Sequence, residues 1–299
     1  MRFTRQLPPS SRLLGRSVAL VLLRTVLVVA CGNTTVESPA AKQPHLYWAN
    51  LLSGTIGRAN LDGTGVSQSF ITRASAPCGL AVDSSHVYWA NSGSGAIGRA
   101  NLDGTGVNQS FVSGASQPCS IAVDRSHIYW GNWDGGVGTT IGRANLDGTG
   151  INQGFITGAK GPTGLEVDSA HVYWTNMSGA SVGRANLDGT GANQGFIVGA
   201  NVPGGAAVNT SYIYWANGGT GTIGRANLDG TGVNQSFITG ANGPAGPTID
   251  STYIYWADYG DPCCGNGTTI GRAKLDGTGS NQNFITGAVG PAGVAVQQT

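Results

Sequence analysis

Charged side chains are scarce in this chain: Asp, Glu, Lys and Arg make up 10 % of its 299 residues, against about 25 % in typical soluble domains. Five of the sixteen Lys and Arg fall in the first thirty residues, which contain none of the fifteen Asp and Glu. The remainder therefore has eleven basic and fifteen acidic side chains, a formal charge of −4. Because it has no basic patch for a phosphate backbone, we expect no nucleic-acid partner.

Helical periodicity is also missing, since no segment beyond residue 30 keeps a helical spacing of apolar residues. The chain is nevertheless 40 % apolar and contains seven Trp, which argues against disorder. Glycine supplies 50 residues, well over twice its usual share of about 7 %. Many turns, small residues and little charge favour an all-β protein.

The first thirty residues differ from the rest, with basic residues ahead of the apolar run SVALVLLRTVLVVA. This pattern predicts a signal peptide over 1–30, too short for a comfortable membrane span. Its ending, VVA followed by Cys31, resembles the lipobox of bacterial lipoproteins, which implies lipidation of Cys31 and a flexible tether over 31–44. The protein would then be exported and lipid-anchored to the cell envelope, facing outside the cytoplasm. The alternative is an ordinary cleaved signal that happens to end near a cysteine.

A repeat fills the rest of the chain. Tyr-Trp pairs begin at residues 47, 88, 129, 173, 214 and 255, a period of 41 residues with one interval of 44. Each repeat divides into four short pieces, such as GLAVD, HVYWAN, AIGRANL and NQSFVSG, bounded by turn residues. A period of about 40 to 45 residues with four strands is typical of a propeller blade. The repeat pattern begins with HLYWAN, a second strand, and ends with AGVAVQQT, a first strand, so the last strand can complete the first blade.

The motifs YWAN, IGRANLDGTG and PxGLAVD resemble the YWTD, or class B, repeats of low-density lipoprotein receptors. The resemblance covers residues 45–299 and implies a six-bladed β-propeller of four-stranded antiparallel blades, closed by the C-terminal strand joining the N-terminal blade. One departure is that the Asp of YWTD is Asn in five repeats and remains acidic only at Asp258. An amide keeps an acceptor and adds donors, so we expect the structural role to survive.

Two loops break the repeat, because three residues are inserted in the third copy and six in the sixth. They contain Trp133 and Tyr259, the aromatics without an equivalent in other copies, followed by Asp134 and Asp261. Copies three and six lie half a turn apart in a ring of six, so these side chains are predicted to bind a ligand on one face. The alternative is that each longer loop packs its own aromatic over a blade end.

A further exception is Glu166, which stands where other repeats have Ala or Thr. It is a candidate ligand-binding residue near the ring centre, or a tolerated substitution paired with a neighbouring backbone amide or Arg. The four histidines, by contrast, occupy one equivalent position in four repeats and would be spread around the ring. We therefore predict no metal site and no cofactor, because ligands must bond a metal at about 2 Å.

Four cysteines remain once Cys31 is assigned to lipid, and they allow three pairings. Cys78 and Cys119 share one position in neighbouring repeats, whereas Cys263 and Cys264 are adjacent in the sixth-repeat loop. We predict the disulfides Cys78–Cys119 and Cys263–Cys264, which an exported protein permits.

The function that these features predict is a monomeric, extracytoplasmic binding module that recognises a glycan, a peptide or an envelope protein. An enzyme is the alternative, lactonase-like or lyase-like and metal-assisted. A purely structural envelope protein is the third possibility. The sequence shows no nucleophile–His–Asp arrangement, and its histidines all obey the repeat, so we predict that the protein is not an enzyme.

Overall fold

The computed structural model describes residues 43–261 and 265–298, which form twenty-four β-strands in six four-stranded antiparallel sheets. The predicted six-bladed β-propeller is confirmed. Within the described ranges there is no α-helix, and two short 3₁₀ turns cover Asp134–Gly136 and Met177–Gly179. The predicted leader, the lipidation of Cys31 and the disulfide Cys263–Cys264 lie outside these ranges and stay predictions.

The strands closest to the ring axis and their neighbours contain the apolar centre of each blade. From the first blade to the sixth, the innermost strands are β24 (Pro291–Val296), β4 (Pro77–Val82), β8 (Pro118–Val123), β12 (Pro162–Val167), β16 (Pro203–Val208) and β20 (Pro244–Ile249). The second strands are β1 (His45–Asn50), β5 (His86–Asn91), β9 (His127–Asn132), β13 (His171–Asn176), β17 (Tyr212–Asn217) and β21 (Tyr253–Asp258).

The third and fourth strands lie progressively further from the axis. The third strands are β2 (Thr55–Asn60), β6 (Ala96–Asn101), β10 (Thr140–Asn145), β14 (Ser181–Asn186), β18 (Thr222–Asn227) and β22 (Thr269–Lys274). The outer strands are β3 (Ser67–Ile71), β7 (Asn108–Ser113), β11 (Asn152–Thr157), β15 (Asn193–Val198), β19 (Asn234–Thr239) and β23 (Asn281–Thr286).

The two ends of the propeller close the ring as predicted. Strand β24 pairs with β1 in an antiparallel register that places Tyr47 opposite Ala295. Each innermost strand contacts the next, and β24 contacts β4, so the circle is complete. The outer parts of the sixth and first blades are also joined, since Gln68 Nε2 donates to the Thr286 carbonyl oxygen at 2.9 Å.

The Tyr-Trp pair of every second strand is buried, with Tyr and Trp on opposite faces of the blade. Each Trp lies over the glycine opposite it on the third strand, as Trp48 does over Gly57. A Cβ at Gly57 would overlap the indole ring, and the same holds in the other five blades. The glycine of the IGRA motif is therefore required by the packing of the tryptophan.

The asparagine that ends five of the second strands connects three parts of its blade. In the second blade, Asn91 Nδ2 donates to the main-chain oxygen of Gln109 on the outer strand at 2.8 Å. Its Oδ1 accepts the N–H of Ser75, just before the innermost strand, at 2.9 Å. An ionised Asp could accept but could not donate. The departure from YWTD thus adds a hydrogen bond to the outer strand.

The sixth blade has Asp258 in place of this asparagine, and the hydrogen bonds there differ from those of the other five blades. Asp258 accepts from the N–H of Asn242 and from the indole N–H of Trp256, both at 3.0 Å. In the other five blades that indole donates to a glutamine side chain. The corresponding oxygen, Gln282 Oε1, is buried and has no partner in the described part of the chain. Burial raises the pKa of Asp258 to about 6.

We predict that Asp258→Asn stabilises the propeller, because the amide can donate to the outer strand and the indole is freed to bond Gln282. The native Asp258 binds its proton more tightly than the unfolded chain does, so the contribution of this group to stability falls as pH rises from about 4 to about 6. The gain from Asn should therefore be small at pH 4. At pH 8 it should approach about 3 kcal/mol, measured by denaturant unfolding.

The matched control is Asn217→Asp, which introduces the same carboxylate at the equivalent position of the fifth blade. Its destabilisation should grow over the same pH range. If both variants unfold like the wild type at pH 4 and pH 8, the proposed cost of the buried carboxylate is refuted.

Candidate functional site

The inserted loop of the third blade is built around the carbonyl oxygen of Trp133. That oxygen accepts the N–H groups of Gly136 and Gly138, each at 2.9 Å, and so closes the insertion into a tight turn. The loop is fastened to the fourth blade, because Ser178 Oγ donates to the Gly136 carbonyl at 2.7 Å. Trp133 itself is half-buried, and its Nε1 is buried without a partner among the described residues.

The inserted loop of the sixth blade has a similar closure. The carbonyl oxygen of Tyr259 accepts the N–H of Gly267 at 2.8 Å, across the inserted segment. Gly265 lies against the Tyr259 ring, where a Cβ would come within 2.8 Å of the phenol oxygen. One side of Tyr259 is thus covered by its own loop, and the side chain is half-buried.

Both aromatics line one cavity of about 190 Å³ at the mouth of the central channel, here called the loop-face cavity. Its lining is largely apolar and includes two sixfold sets of equivalent residues. The rim ring, the first residue after each second strand, is Leu51, Ser92, Trp133, Met177, Gly218 and Tyr259. The floor ring, the second residue of each innermost strand, is Cys78, Cys119, Thr163, Gly204, Ala245 and Ala292.

Trp133 and Tyr259 line the same cavity, but the acidic residues that follow them in the sequence lie outside it. Asp134 and Asp261 are exposed and do not line the loop-face cavity. Sequence reasoning missed Leu51 and Met177, which share the rim ring with the two aromatics. The sequence did contain a sign of these two residues, because the position after the second strand holds a different residue in each of the six repeats.

Glu166 lies in a different cavity from the two aromatics. The loop face is the face of the propeller that carries the two inserted loops. A second cavity, about 520 Å³ in volume, occupies the central channel below this face, and Glu166 on β12 lines it. Here it is called the channel cavity. Burial raises the pKa of Glu166 to about 7, and the neighbouring charge of Asp168 acts in the same direction. The carboxylate accepts the N–H of Val167 at 3.1 Å.

A layer of small residues lies where the two cavities meet. The third residue of the innermost strand is glycine in five blades and Ser120 in the third. A Cβ at Gly205 would come within 2.5 Å of the Gly246 Cα, so neighbouring innermost strands leave no room for a side chain there. Ser120 fits because its cross-strand partner is Gly131, where the other repeats have Ala or Thr. These two exceptions to the repeat compensate for each other.

The structure joins Cys78 and Cys119 by a disulfide, with their Cα atoms 4.8 Å apart. The bond links the innermost strands of the second and third blades and forms part of the floor ring. Among the described residues, no group of three or more His, Cys, Asp and Glu is placed to hold a metal ion.

Comparisons with solved structures support the fold. A chain from the crystal structure of a nidogen/laminin complex matches with a TM-score of 0.69 and 22 % identity, over 85 % of this chain and 98 % of that one. A gluconolactonase from Xanthomonas campestris matches with a TM-score of 0.60 and 17 % identity, over 72 % and 79 %. Virginiamycin B lyase from Staphylococcus aureus matches with a TM-score of 0.53 and 19 % identity, over 71 % and 73 %. No protein-family model and no curated protein matches the chain.

These matches correct the prediction that the protein is not an enzyme. Two of these three matched structures are enzymes by name, so the fold gives no ground for excluding catalysis. The absence of a conspicuous catalytic cluster from the sequence is therefore not evidence against an enzyme. The channel of this propeller contains Glu166, a carboxyl whose pKa burial raises to about 7.

We predict that the disulfide stabilises the junction of the second and third blades. It closes a separation of 41 residues, and loop entropy then gives a stabilisation of about 2–4 kcal/mol. The double variant Cys78→Ala, Cys119→Ala should lose that free energy of unfolding, and a reductant should lower the wild type by a similar amount.

Peptide mapping without reduction provides the independent check. We expect a linked pair of peptides containing Cys78 and Cys119. A link from Cys78 to either loop cysteine would contradict the predicted pairing.

Proposed function

We propose that this protein is an exported, lipid-anchored propeller of the YWTD type that binds a protein partner at its loop face. An apolar side chain of the partner would enter the loop-face cavity between Trp133 and Tyr259. The protein would then act as a recognition module at the cell envelope, functioning as a monomer.

The observation that carries this proposal is the rim ring. Six blades repeat their core residues almost unchanged, yet the rim position differs in every blade and includes two aromatics and a methionine. Aromatic and methionine side chains are enriched where proteins bind one another. A different residue in every blade at the mouth of this cavity fits a surface shaped for one asymmetric partner.

The size and polarity of the cavity favour a peptide side chain over a sugar. Its volume of about 190 Å³ is below the roughly 300–1,000 Å³ of ordinary small-molecule sites. Its lining is largely apolar, and the nearby carboxylates of Asp134 and Asp261 do not reach it. The nidogen/laminin match, from a complex of two proteins, supports a protein partner.

Export is supported by the leader sequence and by the Cys78–Cys119 disulfide, which suits an oxidising compartment. No helix in the described ranges is long and apolar enough to span a bilayer. Lipidation of Cys31 would supply the attachment to the membrane instead.

The test is a binding screen of the full chain on an array of cell-envelope peptides, with a glycan array in parallel. We expect peptides that carry an exposed Trp, Phe or Leu to bind. Trp133→Ala and Tyr259→Ala should each weaken that binding at least tenfold, because buried aromatic anchors contribute about 2 kcal/mol or more.

The control is Val137→Ala in the third-blade insertion, since Val137 is 75 % exposed and outside the cavity. It should bind as the wild type does. Peptides that bind the double variant Trp133→Ala, Tyr259→Ala with unchanged affinity would refute the site. Glycans as the sole ligands would refute the proposed partner class.

Catalysis in the channel cavity is the second candidate function, and Glu166 is the observation that favours it. A carboxyl with a pKa of about 7 is suited to act as a general base near neutral pH. The experiment is an assay of the full chain against small lactones and cyclic esters. If the channel is catalytic, Glu166→Gln should lower turnover by about 10²–10⁴, whereas Trp133→Ala should leave it unchanged.

A further inference from the structure

The channel cavity is large enough for a whole small molecule. Its volume of about 520 Å³ falls within the roughly 300–1,000 Å³ of small-molecule sites. It extends along the innermost strands to the turns that follow β16 and β20, away from the loop face. It therefore offers a site distinct from the loop-face cavity.

Two carboxyl groups line the channel cavity, and its described lining contains no Lys, Arg or His. Asp250 already accepts three hydrogen bonds, from the N–H groups of Thr252 and Tyr253 and from the hydroxyl of Tyr255. Glu166 is different, since Oε1 accepts one N–H from the adjacent Val167. Glu166 Oε2 accepts no hydrogen bond from the described residues. Glu166 is thus the carboxyl with spare acceptor capacity.

The scaffold does not require a carboxyl at this position. The equivalent residues are Ala81, Ala122, Ala207 and Ala295, with Thr248 in the sixth blade. An alanine would avoid the cost of removing a charge from water, which an unpaired carboxylate must bear. The carboxyl is therefore an addition to a wall that is otherwise small and mostly apolar.

We propose that the channel cavity binds a small organic cation, a protonated amine with an apolar body, whose ammonium group pairs with Glu166. The ammonium would donate to the free oxygen of the carboxylate, and the Ala and Val side chains of the wall would cover the apolar body. A metal ion fits this wall less well, because the described residues provide no cluster of acidic or histidine ligands. This inference is independent of the loop-face proposal and of any catalysis.

Calorimetric titration of the full chain at pH 8 tests the inference with n-butylamine, cyclohexylmethylamine and phenylethylamine. Each amine is paired with the alcohol that replaces its ammonium by hydroxyl. At least one amine should bind tenfold or more tightly than its alcohol. Glu166→Gln, which keeps the side-chain volume, should abolish that tenfold preference and leave alcohol binding unchanged.

Thr248→Ala is the matched control, because it alters the equivalent position in the sixth blade without changing charge. It should keep the amine preference, and circular dichroism should show all variants folded. No amine binding, or equal amine binding by wild type and Glu166→Gln, overturns the inference. A titration with Ca²⁺ alone completes the test. If Ca²⁺ binds in a Glu166-dependent way and no amine binds, the site is a metal site and the proposed organic cation is refuted.

Discussion

The packing of six indole rings on six glycines is the contact on which the rest of this structure depends. Each Trp of a second strand covers the glycine opposite it, as Trp48 covers Gly57, and so fills the face that packs against the preceding blade of the ring. Neither residue can change alone, because a Cβ would overlap the ring and a smaller ring would leave a cavity. The near identity of the repeats at these positions follows from that constraint.

A closed ring also determines where variation is tolerated. Blade faces are covered by neighbours, and the innermost strands contact one another around the axis. Residues at the ends of the channel do not have to pack against a neighbouring blade, and there the repeats diverge. The rim ring combines six different residues at one end, whereas inside the channel Glu166 stands where four blades have alanine and the sixth has Thr248. Symmetry provides the scaffold, and its exceptions provide the candidate sites.

The fold was predictable because it follows from local pattern and period. Strand pieces of six residues, turns at LDGTG and a period of 41 residues leave few architectures open. The sequence also pointed to Trp133 and Tyr259, since aligning the repeats is enough to reveal the two insertions. It could not show that Asp134 and Asp261 turn away from the cavity, because side-chain direction in an irregular loop depends on its closure. The non-enzyme prediction failed because a fold that enzymes also adopt gives no ground for excluding catalysis.

By itself, the sequence determined the number of blades, the strand order within each blade and the closing of the ring by the last strand. These depend on repeated spacing and on the alternation of side chains along a strand, which are local properties. Only the tertiary structure decided which residues share a cavity. Residues such as Leu51 and Met177 join Trp133 and Tyr259 because the ring brings equivalent positions of distant blades to one axis. The same ring places Glu166 at another level, where burial raises the pKa of its carboxyl to about 7.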